Sequence, residues 1–399
     1  MSHQFDTSAA VGHCPFMPVF GPPSVMFERG DGTELFDTEG NRYLDFLAGI
    51  AVVSLGHANP VVASAIADQA GRLVHVSNFF ANPVATAAAM RVDRLLTEAT
   101  GRPGQVFFTN SGAEANECAL KLARRHGGPG RHAVISTLGS FHGRTLATLA
   151  ATGQPAKHEP FAPMPDGFRH VPWGDVDAME AAVGPDVAAV LIEPIQGEGG
   201  VIPPPVGYLQ AVREICSRAG ALMMVDEIQT GFGRTGRWFG FEHDGVVPDV
   251  VTLAKAMGNG MPIGACWAPV EVAANFSPGD HGSTYSGTAL ATAAVNAVID
   301  EMRRIDAPAV ARERGAALAD QLTELDGVEE VRGRGLLLGA RLRDGIVAGE
   351  VAAAALRVGL IVNAVNASTI RLAPPITVTE GEIAEAVALL GASITEVVS

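Results

Sequence analysis

Amine chemistry has few candidates in this chain of 399 residues, because arginine supplies nearly all of its 28 basic side chains and lysine occurs only at Lys121, Lys157 and Lys255. Lys255 ends the apolar run Asp249-Val-Val-Thr-Leu-Ala and is followed by Ala-Met-Gly-Asn-Gly. An apolar setting lowers the pKa of a lysine, and the neutral amine that results attacks an aldehyde and holds it as a Schiff base. The bland alternative is a solvated lysine at a strand end. The rivals are weaker: Lys121 falls in the helical run 118–125, and Lys157 sits in Gln-Pro-Ala-Lys-His-Glu-Pro, which reads as a loop.

Two further stretches place polar groups where apolar runs stop. Val-Phe-Phe-Thr leads into Asn110-Ser111-Gly112-Ala113 and a helix, so free backbone N–H groups and the positive end of a helix dipole face whatever lies above. That arrangement seats a phosphate, and it is also how an ordinary helix cap looks. Ala-Leu-Met-Met-Val leads into Asp226-Glu227-Ile228-Gln229. A carboxylate leaving an apolar strand is costly to desolvate unless a cation or donors meet it, and a protonated pyridine nitrogen is such a cation. A capping or salt-bridged aspartate fits as well. Phe141, in Ser-Phe-His-Gly-Arg144-Thr, is suited to stack on one face of a pyridine ring while Ile228 covers the other. A phosphate seat, a carboxylate for a ring nitrogen and an amine for an aldehyde together fit one cofactor, pyridoxal 5′-phosphate.

The elements that must position these groups follow from the alternation of short apolar runs with helical stretches between about 100 and 270, which means a mostly parallel sheet in an α/β fold. Strands are expected over 106–109, 132–137, 187–192, 222–226, 250–254 and 264–268, and helices over 114–125 and 208–219. The first of these helices is opened by Ser111-x-x-Glu114, which has the form of a capping box. Asn59-Pro60 opens an earlier helix with a capping side chain and a proline at the first helical position. After about 305 the pattern restarts, with strands expected over 332–342, 360–364 and 369–372, a helix over 351–358 and a closing helix over 379–398. The expected division is an N-terminal segment 1–60 that joins a small α/β domain formed by 306–399, around a large domain over 61–305.

Composition narrows the function classes. Hydrophobic residues make up 47% and charged residues 18%, which is ordinary globular usage. A net charge of -15 argues against nucleic acid as a partner, since phosphate backbones are met by a surplus of basic side chains. No apolar run reaches the length of a membrane span, and the start MSHQFDTSAAVGHCPF lacks the regions of a signal peptide, so a cytoplasmic location is expected. Cys14, Cys118, Cys216 and Cys266 lie far apart, with no spacing suited to zinc or a redox dithiol, and are expected to be reduced thiols.

With these pieces in place, the chain resembles the fold-type I, class III pyridoxal-phosphate aminotransferases, and among them most closely the members that use acetylornithine. The resemblance runs from about Pro15 to the last helix and is carried by NSGAEANECALKLAR, SFHGRTLATLAATGQPAK, EPIQGEGG, VDEIQTGFGRTG, PDVVTLAKAMGNGMPIGA, HGST and IRLAPP. It implies a large domain with a mostly parallel seven-stranded sheet, covalent attachment of the cofactor at Lys255, Asp226 on the ring nitrogen, Gln229 near the ring hydroxyl, and Gly112 and Ala113 on the phosphate beside Ser111. It also implies a homodimer in which Thr284 reaches the partner's cofactor phosphate and Ser283 the partner's substrate.

The substrate logic implied is that of an ω-aminotransferase, with glutamate and 2-oxoglutarate as one pair and N-acetylornithine as the other donor. Ornithine, succinylornithine, 4-aminobutyrate and succinyl-diaminopimelate present the same terminal amine and distant carboxylate. Arg371 would hold the α-carboxylate of glutamate, and Glu198 would neutralise it when the ω-amine is bound, because an unpaired buried guanidinium is expensive. Arg144 would take the distant carboxylate in a bidentate contact. The sequence departs from the usual pattern after Thr284: members commonly continue with an aromatic residue and Gly-Gly-Asn-Pro, and here Tyr285-Ser286-Gly287-Thr288-Ala289 follows. Phe79-Phe80 falls where an aromatic lining the substrate channel is expected.

Other classes fit less well. An aminomutase on the same scaffold would keep its amino group and has little use for a Glu198–Arg371 switch. A binding protein descended from the fold predicts loss of the lysine, which is present. Gly333-Arg-Gly335-Leu-Leu-Leu-Gly339 has one residue too many for a dinucleotide fingerprint and opens no helix.

Overall fold

The computed structural model describes residues 16–21 and 23–399. Three short strands, β1 (Phe27–Asp31), β2 (Glu34–Asp37) and β3 (Arg42–Asp45), form an antiparallel meander near the N-terminus. The helix Pro60–Ala70 then starts as the sequence predicts, with the Asn59 side chain accepting from the N–H groups of Val61 and Val62. Asn82-Pro83 repeats the device for the helix Pro83–Thr100.

The central sheet is built from β4 (Gly104–Thr109), β5 (Ala133–Thr137), β6 (Phe168–Val171), β7 (Val187–Ile192), β8 (Leu222–Asp226), β9 (Val250–Leu253) and β10 (Gly264–Pro269), in the order β4-β10-β9-β8-β7-β5-β6. Only β10 is antiparallel to its neighbours. Because β10 reverses the direction on both sides, β4 runs in the same sense as β9. The carboxyl ends of β4, β5, β7, β8 and β9 therefore share one edge, where an open α/β sheet binds its ligand. All six residues of β7 are buried, which is why its sequence shows an unbroken apolar run and no alternation. Each valine, leucine or isoleucine so buried contributes about 1.5–3 kcal/mol. The strand that sequence patterning missed, β6, reads Phe-Arg-His-Val; it pairs only with β5 at the sheet edge, so it needs little apolar character. The helix Tyr208–Ala219 matches its predicted bounds.

The C-terminal part corrects two expectations. The single strand expected over 332–342 is a hairpin of β11 (Val328–Arg334) and β12 (Leu337–Leu342), turned by Gly335 at φ 55° and Leu336. Leu336 is fully buried, so an apolar residue conceals the turn. The strand expected over 360–364 divides into β13 (Leu360–Ile361) and β14 (Asn363–Asn366). The first pairs in parallel with β3, Leu360 opposite Leu44, and the second pairs with β15 (Thr369–Leu372) in the sheet β11-β12-β15-β14. The helix Ala348–Arg357 packs nearby, and the helix Glu380–Val398 opens on a full capping box between Thr379 and Glu382.

Cys118, Cys216 and Cys266 are free and buried, and Cys118 and Cys266, remote in sequence, share one apolar cluster between the helix Gly112–Gly127 and β10; Cys14 lies outside the described residues. No helix among the described residues is long and apolar enough to cross a membrane.

Candidate active site

The carboxyl edge of the sheet opens into a cavity of about 390 Å³. Asp226, Ile228 and Gln229 enter it from the end of β8 and Lys255 from the end of β9. Ser111, Gly112 and Ala113 enter from the end of β4, Phe141 and Arg144 from the segment after β5, and Glu198 from the segment after β7. Of the three lysines only Lys255 lines this cavity; the Lys121 ammonium bonds the Asp280 carbonyl at 2.6 Å instead.

The helix Gly112–Gly127 is capped by Ser111, whose Oγ accepts from the Glu114 N–H at 3.2 Å. The return half of the expected capping box is displaced by one residue: Glu114 Oε2 accepts from the backbone N–H of Asn110 at 2.7 Å and from its Nδ2 at 2.8 Å. The N–H groups of Gly112 and Ala113 stay at the helix start, on the cavity wall, where they suit an anion. A Cβ on Gly112 would stand 2.6 Å from Ile228 Cδ1, so the backbone here approaches Ile228 as only glycine permits.

Asp226 is 3% exposed and firmly held. Its Oδ2 accepts from Asn116 Nδ2 and is bonded to His142 Nδ1, both at 2.8 Å, while Oδ1 accepts from the Ile228 N–H at 3.1 Å. Thr252 Oγ1 donates to Asn116 Oδ1 at 2.8 Å, which fixes which end of that amide faces Asp226. A second buried carboxyl, Glu193, accepts from the N–H groups of Phe141 and Gly197. Burial, and then the charge of Asp226, push its pKa well above the usual range. Glu193 is thus held towards its neutral form.

Lys255 adopts φ 46°, in the left-handed region that costs a residue with a side chain about 1–3 kcal/mol and that marks functional positions. Burial first, and Arg371 second, lower its pKa from 10.5 to about 8, against the opposing carboxylates Glu198, Asp226 and Glu193. A useful share of free amine near neutral pH follows.

Arg371, on β15, is 1% exposed and donates through Nη1 to Glu198 Oε1 at 2.5 Å and through Nη2 to Asn363 Oδ1 at 2.8 Å. Its Nη1 also lies 3.4 Å from Gln229 Oε1, and its Nε is buried with no partner among the described residues. Burial raises the pKa of Glu198, but the Arg371 charge and hydrogen bond outweigh it and hold the carboxylate ionised. Arg144, also on the cavity wall, stands 5.6 Å from the Phe141 ring centre.

Ser283 and Thr284 do not reach this cavity. They line a second, larger one of about 950 Å³ together with Phe79 and Phe80, and the two cavities adjoin where Asn110 Nδ2 donates to Ser283 Oγ at 3.1 Å. Phe79, 91% exposed, lines this second cavity and not the one that holds Lys255. The departure after Thr284 has a local structural reason. Ser286 Oγ donates to the Phe108 carbonyl at 2.5 Å, and Thr288 caps the helix Ala289–Arg304 by accepting from the Ala291 N–H at 3.2 Å. These two residues anchor the segment to β4 and start the helix without an Asn-Pro pair.

Sequence reasoning missed Asn116, His142 and Glu193. Asn116 shares a helix face with Ala119, Leu120 and Ala123, an uncomfortable place for an amide without a buried partner, and that was the available signal. His142 and Glu193 carry none, because their link to Asp226 is made only by the fold.

These groups suit a phosphorylated pyridine aldehyde: N–H donors at a helix start for the phosphate, a buried carboxylate for the ring nitrogen, a lysine of lowered pKa for the aldehyde, and Phe141 and Ile228 for the ring faces. The fold and the site define a fold-type I, pyridoxal-phosphate-dependent transferase. The family model "Aminotransferase class-III" matches residues 18–394, and the chain belongs to that family. It is 49% identical over 383 residues to the acetylornithine aminotransferase of Corynebacterium efficiens, with 94% of each chain covered. Among solved structures it resembles the N-acetylornithine aminotransferase of Stenotrophomonas maltophilia (36% identity, 95% and 97% of the two chains, TM-score 0.82). It also resembles the ornithine aminotransferase of Toxoplasma gondii (33%, 98% and 95%, TM-score 0.91). The protein is a pyridoxal-phosphate-dependent aminotransferase.

Proposed function

We propose that the chain moves the terminal amino group of N-acetylornithine, or of a closely similar ω-amino acid, to 2-oxoglutarate, giving the semialdehyde and glutamate. The observation that carries this reading is the Glu198–Arg371 pair, with the Arg371 Nε left over. One pocket must serve two substrates, one with a carboxylate beside the reacting carbon and one without. With glutamate, Arg371 turns from Glu198 to the α-carboxylate; with the ω-amine, Glu198 keeps Arg371 neutralised and the pocket electrically quiet. Arg144 takes the carboxylate at the far end of either substrate.

In this reading Lys255 carries the cofactor and moves the proton at the reacting carbon. Bound pyridoxal phosphate supplies an electron sink for that proton's departure. Asp226, oriented by Asn116 and His142, would keep the ring nitrogen protonated; Gln229 would serve the ring hydroxyl, Phe141 and Ile228 the ring faces, and Ser111, Gly112 and Ala113 would hold the phosphate. The assembly is a cytoplasmic homodimer in which Thr284 completes the partner's phosphate site and Ser283 its substrate site. The outward placement of both beside the exposed Phe79 supports that role. The division into a large domain over 61–305 and a small one from 1–60 and 306–399 is supported by the β3–β13 pairing.

Three measurements test the reading. Glutamate alone, added to the purified holoenzyme, should convert the absorbance of the aldehyde form to that of the amine form. Borohydride reduction and peptide mapping should locate the cofactor on Lys255; label on Lys121 or Lys157 removes the centre of the mechanism. A donor panel with 2-oxoglutarate should rank N-acetylornithine first, and a much higher rank for 4-aminobutyrate or a diamine refutes the donor while leaving the cofactor chemistry intact.

A further inference from the structure

We propose that Lys157 is a specificity-determining residue, a second cation that acts with Arg144 to read the distal carboxylate of the amino donor. This rests on the reading of the donor as an ω-amino acid with an acid group at its far end.

Lys157 lies 13 residues after Arg144, on the far side of the helix Leu146–Ala151, in the segment that sequence patterning reads as an uninvolved loop. The fold returns it to the Phe141 ring, which, like Arg144, lines the cavity. Its Nζ stands 5.6 Å from the centre of the Phe141 ring, the distance that also separates the Arg144 guanidinium from that ring. The ammonium is not swinging freely. It donates to Gln154 Oε1, and Gln154 Nε2 donates in turn to the Ser140 carbonyl at 2.9 Å, one residue before Phe141. His158 Nε2, bonded to the Thr152 carbonyl at 2.7 Å, secures the other side of Lys157.

Two like charges are therefore gathered around one aromatic ring, and among the described residues no carboxylate forms an ion pair with either. Burial first and Arg144 second depress the pKa of Lys157, and the carboxylate that opposes them, Glu198, is already engaged by Arg371. A site built this way is relieved by an anion from outside. A carboxylate offers about four lone-pair positions; the planar fork of Arg144 uses two, and an ammonium with two N–H groups left over can take another. The class of ligand is a monocarboxylate at the end of a flexible chain whose other end bears the reacting amine.

The test uses holoenzyme and the donor half-reaction alone, followed by cofactor absorbance, so that 2-oxoglutarate plays no part. N-acetylornithine is compared with n-pentylamine, which has the amine and no acid. Lys157→Met should reduce kcat/KM for N-acetylornithine about ten- to a hundredfold, the range for one lost hydrogen bond to a charged group, with n-pentylamine unchanged. Binding of N-acetylnorvaline, which keeps the carboxylate and lacks the terminal amine, should weaken by the same factor in calorimetry, and Lys157→Arg should restore most of the loss. Equal losses for both amines, or an unchanged preference in Lys157→Met, overturn the assignment of Lys157 while leaving the proposed donor standing. A wild-type enzyme with no preference for the acid-bearing donor overturns both.

Discussion

Arg371 and Glu198 meet at 2.5 Å on the boundary between a fully buried guanidinium and a carboxylate whose side chain is 29% exposed. The asymmetry sets which partner can leave. Glu198 has water to turn to, whereas Arg371 has none and must exchange one carboxylate for another.

Removing the carboxylate should therefore bias the pocket. In Glu198→Ala, Arg371 is left without its counter-ion and welcomes the α-carboxylate of glutamate more strongly. The glutamate half-reaction should show a lower KM, and the ω-amine half-reaction should lose about ten- to a hundredfold in kcat/KM, equivalent to about 1.4–2.7 kcal/mol. Separate half-reaction kinetics decide the matter, and parallel losses in both directions would contradict the switch.

Asp226→Asn keeps the shape of the side chain and removes its charge. Asn116 and His142 then face an amide where they faced a carboxylate, and the ring nitrogen loses the group that keeps it protonated. A fall of about 10²–10³ in kcat is expected, typical of losing one preorganised electrostatic contact, with the cofactor still retained by Lys255. Cofactor content and kcat measured on the same preparation separate this outcome from simple loss of binding.

Lys255 gives a pH signature. Its pKa is lowered to about 8, so the neutral amine fraction grows about tenfold per pH unit below that value and levels off above it. The rate at which apoprotein captures pyridoxal phosphate should follow the same curve; an ordinary lysine would continue to climb to beyond pH 10. Between about 8 and 10.5 the unfolded chain holds a proton on this lysine that the folded chain lacks, so apoprotein stability should gain from this residue as pH rises through that window.

Glu227 works in the opposite sense. It is fully enclosed and accepts from Thr230 Oγ1 at 2.5 Å and from the N–H groups of Gly240 and Phe241, each at 2.9 Å; burial nevertheless raises its pKa from 4.5 to about 7. The stability it contributes is complete below 4.5 and is lost as pH rises through 7. Thermal melts of wild type and Glu227→Gln should diverge in favour of the variant across that window and run parallel above it.

What was legible in the sequence follows the physics of each element. Strands buried on both faces, such as β7 and β8, announce themselves as unbroken apolar runs, and their ends locate Asp226 and Lys255. The edge strand β6 and the hairpin at Gly335-Leu336 did not, the first because an edge needs few apolar residues, the second because its turn contains a buried leucine. Contacts that link distant positions were beyond reach. Nothing in the spacing of Asn116, His142 and Asp226 says that they share one oxygen, and nothing around Lys157 says that its loop folds back onto Phe141.

The parallel pairing of β3 with β13 has a consequence for how the protein is made. Leu44 waits for Leu360, which leaves the ribosome roughly three hundred residues later, and local contacts cannot substitute for so remote a partner. Until then the outer edge of β3 presents unpaired N–H and C=O groups to solvent, a template for any extended segment that comes by. A chain interrupted before Leu360 keeps that edge open, and with it a route to aggregation that the finished fold closes.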